Sequence, residues 1–215
     1  MELKGCLVTI DAMGCQKKIA ELIVEQEADY LLAVKDNQPN LHLAHQNYFW
    51  EANDANFEGY NIDYAQTFNK GHGRLEQRRC WVGYDVLRCV NGSQDWKKLE
   101  TIVMVESERT VDGKTTIEHR YYISSSDNSA SKLLNASREH WGIENSLHWR
   151  LDIAFREDES RIRKGHGAEN FAILRHIALN LLKKEETAKV GIPNKRLRAG
   201  WDTSYLEKVL AGLAL

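Results

Sequence analysis

The stretch CLVTIDAMGCQKKIAELIVEQEADYLLAVKDNQ, residues 6–38, indicates the fold class. An apolar, β-branched run at 7–10 predicts a buried strand, and a second apolar run at 29–35 predicts another. Between them, residues 16–26 place apolar side chains at helical spacing, which is typical of an amphipathic helix. Strand, helix, strand units of this length nearly always connect two parallel strands. The sequence therefore predicts an α/β fold.

Polar residues follow both predicted strands. Asp11 comes directly after the first strand, and the cluster at 35–38 ends the second. Because neighbouring parallel strands end at the same edge of a sheet, ligands commonly bind there. We therefore expect Asp11 and the cluster at 35–38 to meet in a candidate site.

The hydrophobic period changes twice along the rest of the chain. Alternating or β-branched segments separated by turn residues predict strands at 63–69, 74–82, 99–106 and 116–124. Helical spacing predicts helices at 39–51, 129–156 (one or two helices), 166–186 and 204–213.

The composition is that of a folded globular protein. Of 215 residues, 42% are hydrophobic and 28% charged, with only 2 prolines, which excludes collagen-like and disordered chains. We find no apolar run near the roughly 18 residues of a membrane span and no signal-peptide pattern, so a cytoplasmic protein without a membrane partner is expected. The spacing of the four cysteines fits neither metal knuckles nor a disulfide framework and predicts reduced structural thiols.

Positive charge is concentrated in the C-terminal third. The net charge is −2, yet residues 131–200 hold fourteen Lys and Arg against nine Asp and Glu. Such a segment can follow a phosphate backbone, but a solvated helical face has the same composition. Charge alone leaves both interpretations open.

The densest polar pattern is REHWGIENSLHWRLD at 138–152. On a helix, one side of this segment carries His140, Glu144, His148 and Asp152. A carboxylate there, packed near the strand that ends at Asp11, would suit hard cations that take oxygen ligands. An ordinary helix with His and Glu pairs explains the pattern equally well. Zinc is disfavoured because the two histidines are eight residues apart.

Four blocks of the sequence, in the correct order, make it resemble the insertion-sequence DDE transposases of the H-repeat-associated group. The blocks are VTIDAMGCQ at 8–16 with ADYLLAVKDNQP at 28–39, KGHGRLEQRR at 70–79, REHWGIENSLHWRLDIAFRED at 138–158, and AENFAILRHIALNLLKK at 168–184. The resemblance covers essentially the full chain.

The resemblance implies part of an RNase H-like core, namely the second half of its sheet with helices, interrupted by a β-rich insertion. It suggests three segments. Residues 1–40 would be a core segment with the second catalytic aspartate, and 41–128 a helix plus the β-rich insertion. Residues 129–215 would hold the C-terminal core helices, with the catalytic glutamate and a basic face.

The resemblance also implies the chemistry. In this family three carboxylates hold two Mg²⁺ ions, and Asp11 matches the second carboxylate and Glu144 the third. Both are therefore implied as catalytic and metal-binding residues. In the family, the first catalytic aspartate lies upstream of the second. In this sequence the only acidic residue before Asp11 is Glu2. We accordingly expect a truncated copy that is inactive alone, with an open strand edge prone to self-association.

Basic and polar residues in the matching blocks are predicted to contact DNA. A related signature has an arginine four residues before the glutamate and a lysine seven after it, but His140 and Leu151 stand there, so Arg138 or Arg150 is expected to contact phosphate. The predicted set is Lys70, His72, Arg74, Arg78, Arg79, Arg138, His140, Asn145, His148, Arg150, Arg161, Arg163 and Lys164. GHGR at 71–74 fits a glycine-dependent hairpin turn equally well. Trp141 and Trp149 are predicted to lie in the core rather than to stack on bases.

The leading hypothesis is a DNA transposase that acts on the ends of a mobile element, with DNA and a second copy of the chain as partners and no small-molecule substrate. A non-catalytic remnant that binds DNA and oligomerises is the first alternative. An RNase H-like nuclease outside transposition is the second.

Overall fold

The structure is a computed structural model that describes residues 2–71, 74–143 and 147–212. The chain forms two compact units, Met1–His140 and Trp141–Leu215. Within the described ranges, no helix is both long and apolar enough to pass through a bilayer.

The described residues of the first unit form a six-stranded sheet. Its strands are β1 (Leu7–Ile10), β2 (Asp29–Val34), β3 (Ile62–Gly71), β4 (Arg74–Gly83), β5 (Thr101–Val111) and β6 (Lys114–Ser124). They lie in the order β1-β2-β6-β5-β4-β3. The pair β1 and β2 is parallel and is connected by helix α1 (Lys17–Glu25), as predicted, whereas the other neighbours are antiparallel.

The β-rich block extends the sheet that β1 and β2 begin. Strand β6 pairs with β2 from Leu31 opposite Ser124 to Val34 opposite Tyr121. Strands β5, β4 and β3 then add outward from β6. The predicted strands are thus confirmed, and they share one sheet with the segment that ends at Asp11.

Helices cover both faces of this sheet. Helix α1, helix α2 (Pro39–Asp54) and the short α3 (Val86–Cys89) pack on one face, which we call the α2 face. Helix α4 (Ala130–Ile143), which contains the division at His140, packs on the other, the α4 face. Successive side chains of a strand point to opposite faces, so sequence parity decides which helix a residue meets.

That alternation builds two cores. On the α2 face, Leu32 and Ile102 are fully buried against α1 and α2. On the α4 face, Val82 and Val103 pack against Leu134 of α4. Central strands covered on both faces read as continuous apolar runs, which explains why DYLLAV in β2 shows no alternation in its sequence.

The described residues of the second unit are helical. Its helices are α5 (Trp149–Phe155), α6 (Gly167–Lys184), α7 (Ile192–Trp201) and α8 (Thr203–Ala211). Their small core contains Leu181, Leu182, Tyr205 and Val209. Helix α7 was not predicted because its inward position is filled by a charged residue, Lys195, which is buried.

Trp149 is not a core residue. Its side chain is 61% exposed, so the prediction that it is buried was wrong. Trp149 is the first residue of α5, and the buried positions of that helix are filled by Leu151 and Ala154.

Candidate functional site

Asp11 and Lys35 meet where β1 and β2 end. The parallel register pairs Ile10 with Leu32, so the chain leaves both strands at the same edge. The Lys35 ammonium donates to Asp11 Oδ1 over 3.2 Å, and both side chains are about half exposed. The prediction that the two polar strand ends lie together is confirmed.

The loop after Asp11 is held in place by the polar cluster that follows β2. Gln38 Nε2 donates to the carbonyl of Cys15 over 2.9 Å, and the Asn37 amide donates to the carbonyl of Ala12. Gly14 is required here, because a Cβ at this position would clash with Ile10 Cγ2. The backbone that follows Asp11 is therefore held by the polar cluster after β2.

The environment of Asp11 keeps its carboxylate charged. Partial burial raises the pKa of this carboxyl. A hydrogen bond from the Ala12 backbone, the Lys35 ammonium and the charge of His140 lower the pKa by a larger amount, so the net pKa lies below its usual range. An ionised, half-exposed carboxylate at a strand end is available to a cation or to a positively charged partner.

His140 connects helix α4 to the same edge of the sheet. Its Nδ1 lies 3.1 Å from the Thr9 hydroxyl on β1. Two other predicted site residues, Glu144 and Asn145, come shortly after it in sequence but lie outside the described residues. The structure thus brings His140, predicted as a DNA contact, close to Asp11.

The described residues hold one carboxylate of the implied metal site. Among residues 2–71, 74–143 and 147–212, no three His, Cys, Asp or Glu side chains cluster closely enough to hold a metal ion. Mg²⁺ takes octahedral oxygen coordination, usually with one or two carboxylates plus phosphate and water. The carboxylate of Asp11 could supply one such oxygen if the Lys35 ammonium releases Asp11 Oδ1. Glu144, the other carboxylate that the resemblance implies, lies outside these ranges.

The structure separates two adjacent predicted DNA contacts, Arg78 and Arg79. The guanidinium of Arg79 points to the α2 face and forms ion pairs with Glu106 and Glu108, the latter at 2.9 Å. Arg78 lies on the α4 face with Arg74, where Glu76 pairs with both. Lys70, on β3, is exposed, and His72 lies outside the described residues. Since Arg79 is already neutralised by two carboxylates, Arg78 is the better candidate for binding an anion.

The remaining predicted contacts are exposed side chains. Arg138 is exposed on α4 in the first unit. The exposed ones in the second unit are His148, Arg150, Arg161, Arg163 and Lys164. No ion pair between described residues involves any of these five. Their side chains are therefore available to solvent or to a ligand.

Three residues of the α4 face were missed by the sequence analysis: Thr67, Asn69 and Arg120. Thr67 and Asn69 share the α4 face with Arg78, because β3 pairs Thr67 with Arg78 and Asn69 with Glu76. The only signal in the sequence is their parity within a strand, which has no meaning until the pairing register is known.

Comparison with known proteins gives a consistent result. A family model described as a transposase DDE domain matches residues 1–181. The "H repeat-associated putative transposase YhhI" of Escherichia coli K12 is 40% identical over 222 residues, which cover 100% of this chain and 57% of that protein. The "Putative transposase YncI" of Escherichia coli O157:H7 is 42% identical over 98% of this chain and 54% of its own length. The chain thus spans somewhat more than half of these relatives, and no solved structure matches it.

Proposed function

Because the chain belongs to the DDE transposase family, we propose that it is part of a DNA transposase that cleaves and joins DNA strands at the ends of a mobile element. The family match and the relatives named as H-repeat-associated confirm the resemblance read from the sequence. A cytoplasmic location and DNA as the substrate belong to this proposal.

The position and charge of Asp11 support the proposal most directly. It is an ionised carboxylate at the end of a parallel strand pair, in the segment that resembles the family's second-aspartate strand. We assign it, with Glu144, to the catalytic carboxylates. A divalent cation such as Mg²⁺, when bound, would supply positive charge to the phosphate under attack. Asp11 would then act as a ligand, and Lys35 would hold its carboxylate in position beforehand.

The proposal includes the segment assignment. Residues 1–40 and 129–215 would contribute to an RNase H-like core, and 41–128 would be the β-rich insertion. Strands β3 to β6 support this as a continuous extension of the sheet that starts at β1. Since Asp11 and Glu144 are two of three implied carboxylates, we propose that the 215 residues alone have little strand-transfer activity.

A nicking assay on supercoiled plasmid with Mg²⁺ tests these assignments. The chain is assayed alone and together with a separately produced N-terminal segment of a relative. We expect robust nicking only in the mixture, and its loss in Asp11→Asn and Glu144→Gln. Robust nicking by the 215 residues alone would refute the incompleteness, and full activity of the Asp11→Asn mixture would refute the role of Asp11.

A non-catalytic DNA-binding protein is the second candidate, favoured by the exposed basic side chains of both units. It differs from the first in metal dependence. If neither Asp11→Ala nor Glu144→Ala changes Mn²⁺ binding measured by calorimetry, the binding protein is the better description. The third hypothesis, a nuclease outside transposition, predicts equal cleavage of random DNA and of element ends.

A further inference from the structure

Three buried hydrogen-bond donors on the α4 face have no acceptor among the described residues. They are Thr67 Oγ1, Asn69 Nδ2 and Arg78 Nη1. Thr67 and Arg78 are direct neighbours across β3 and β4, and Asn69 lies two residues further along the same face. Each of these atoms carries a hydrogen to donate, and a buried donor without an acceptor costs free energy. A ligand that satisfies all three must present several acceptor oxygens.

The surroundings of these donors carry excess positive charge. Arg74 and Arg120 lie on the same face of β4 and β6, and Arg138 follows Leu134 by one turn of α4. Glu76 pairs with Arg78 and Arg74, and Glu118 holds Arg120 through two hydrogen bonds. Among the described residues, two glutamates thus pair with three of these four arginines.

The arginines act on one another electrostatically. Burial lowers the pKa of the Arg78 guanidinium, Glu76 raises it, and the charges of Arg138, Arg120 and Arg74 lower it further. Like charges held this close repel each other, and an anion placed between them relieves the repulsion. The site is therefore suited to a ligand that is both negatively charged and rich in acceptors.

We propose that Thr67, Asn69 and Arg78, together with Arg120 and Arg138, bind a phosphate group of the DNA backbone. Phosphodiester oxygens are charged and accept hydrogen bonds only, and Arg, Thr and Asn side chains are among their common partners. This inference rests on the proposed function, which makes DNA the ligand. It adds the position of the contact, on the α4 face of β3 and β4, and two uncharged residues, Thr67 and Asn69, that charge counting does not reveal.

DNA binding without catalysis provides the test. The full chain is titrated into a fluorescein-labelled 30-base-pair duplex in EDTA, and anisotropy gives the affinity at several salt concentrations. We expect Arg78→Gln to weaken binding about tenfold or more and to reduce the slope of log affinity against log salt by about 0.9. Thr67→Val removes one donor without changing shape or charge, and we expect about tenfold weaker binding with an unchanged slope.

Arg88→Gln is the matched control. Arg88 lies on α3 beyond the other end of β4, where it stacks on the Tyr60 ring, and the substitution removes the same charge as Arg78→Gln. We expect its salt slope to equal that of the original chain. Thermal unfolding checks that the variants fold. Thr67→Val should keep or raise the melting temperature, because it removes a buried hydroxyl that has no partner in the free protein.

Each outcome decides between the hypotheses. If the original chain binds DNA while Thr67→Val and Arg78→Gln bind equally well with the same slope, the phosphate site is overturned and the proposed function stands. If the original chain does not bind DNA at all, both fail. If poly-glutamate, and not DNA, binds in a way that depends on Thr67 and Arg78, the face recognises acidic protein segments and the DNA assignment is overturned.

Discussion

The buried carboxylate of Glu185 is expected to stabilise the second unit at neutral pH and to lose this effect in acid. It lies just after α6 and is 8% exposed. Thr187 donates to its carboxylate from the backbone, over 2.7 Å, and from its hydroxyl, and the Tyr205 hydroxyl donates over 2.6 Å. The ammonium of Lys195, also buried, lies 3.7 Å away. One carboxylate thereby joins the end of α6 to α7 and α8.

The contribution of Glu185 to the free energy of folding follows from the shift of its carboxyl pKa. Burial raises the pKa of Glu185, but hydrogen bonds from Thr187, Tyr205 and Ala188 outweigh it and lower the pKa from 4.5 to about 2. That difference corresponds to about 3 kcal/mol of folding free energy. Because the folded pKa is depressed, this contribution is complete above about pH 4.5 and is lost as the pH falls towards 2. By pH 3, about 2 kcal/mol of it should be gone.

Glu185→Gln removes the charge and leaves the buried Lys195 ammonium without the carboxylate of its ion pair, although the backbone carbonyls of Leu182 and Glu185 still accept from it. We expect the free energy of unfolding to fall by about 3 kcal/mol at pH 7. At pH 3 the gap between the variant and the original chain should shrink to about 1 kcal/mol, because the original carboxyl is then largely protonated in the unfolded state.

Urea unfolding followed by circular dichroism at pH 7 and pH 3 measures both gaps. Amide hydrogen exchange in α7 and α8 reports whether the loss is local to the second unit. The adjacent residue Glu186 is exposed, so Glu186→Gln is a matched control that should change stability by less than about 0.5 kcal/mol. An equal gap at both pH values, or no gap at pH 7, would refute the reasoning.

Three further predictions concern the first unit. Gly14→Ala should destabilise it by about 1–3 kcal/mol in thermal unfolding, because the new Cβ would clash with Ile10 Cγ2; a melting temperature equal to that of the original chain would show that the loop adapts. Leu134→Ala should cost about 2–5 kcal/mol in urea unfolding, since this α4 residue is 1% exposed where the helix packs on the sheet, and a loss below about 1 kcal/mol would place α4 away from the sheet. Only Cys6 should react quickly with a disulfide reagent at pH 8, because burial raises the thiol pKa of the other three cysteines to about 12; a fast phase that persists in Cys6→Ser would contradict this.

Local sequence patterns predicted much of the secondary structure for physical reasons that can be traced. The apolar runs around Asp11 became β1 and β2, because buried parallel strands need continuous apolar side chains. The turn residues Asp112 and Gly113 both adopt positive φ between β5 and β6, as the hairpin requires. Helix α7 escaped prediction because a buried Lys195, satisfied by the carbonyls of Leu182 and Glu185, takes the place of an apolar residue.

The sequence by itself determined the family, the α/β class and the position of Asp11 at a strand end. Motifs, the hydrophobic period and the polar residues that end a strand are local properties of the chain. Only the tertiary structure decided which basic residues stay available for an anion. Arg78 and Arg79 are neighbours in sequence, but the pleat sends Arg79 to Glu106 and Glu108 on one face and Arg78 to Thr67, Arg120 and Arg138 on the other. Strand pairing and the packing of α4 on the sheet bring these groups together, although they lie on other elements of the chain.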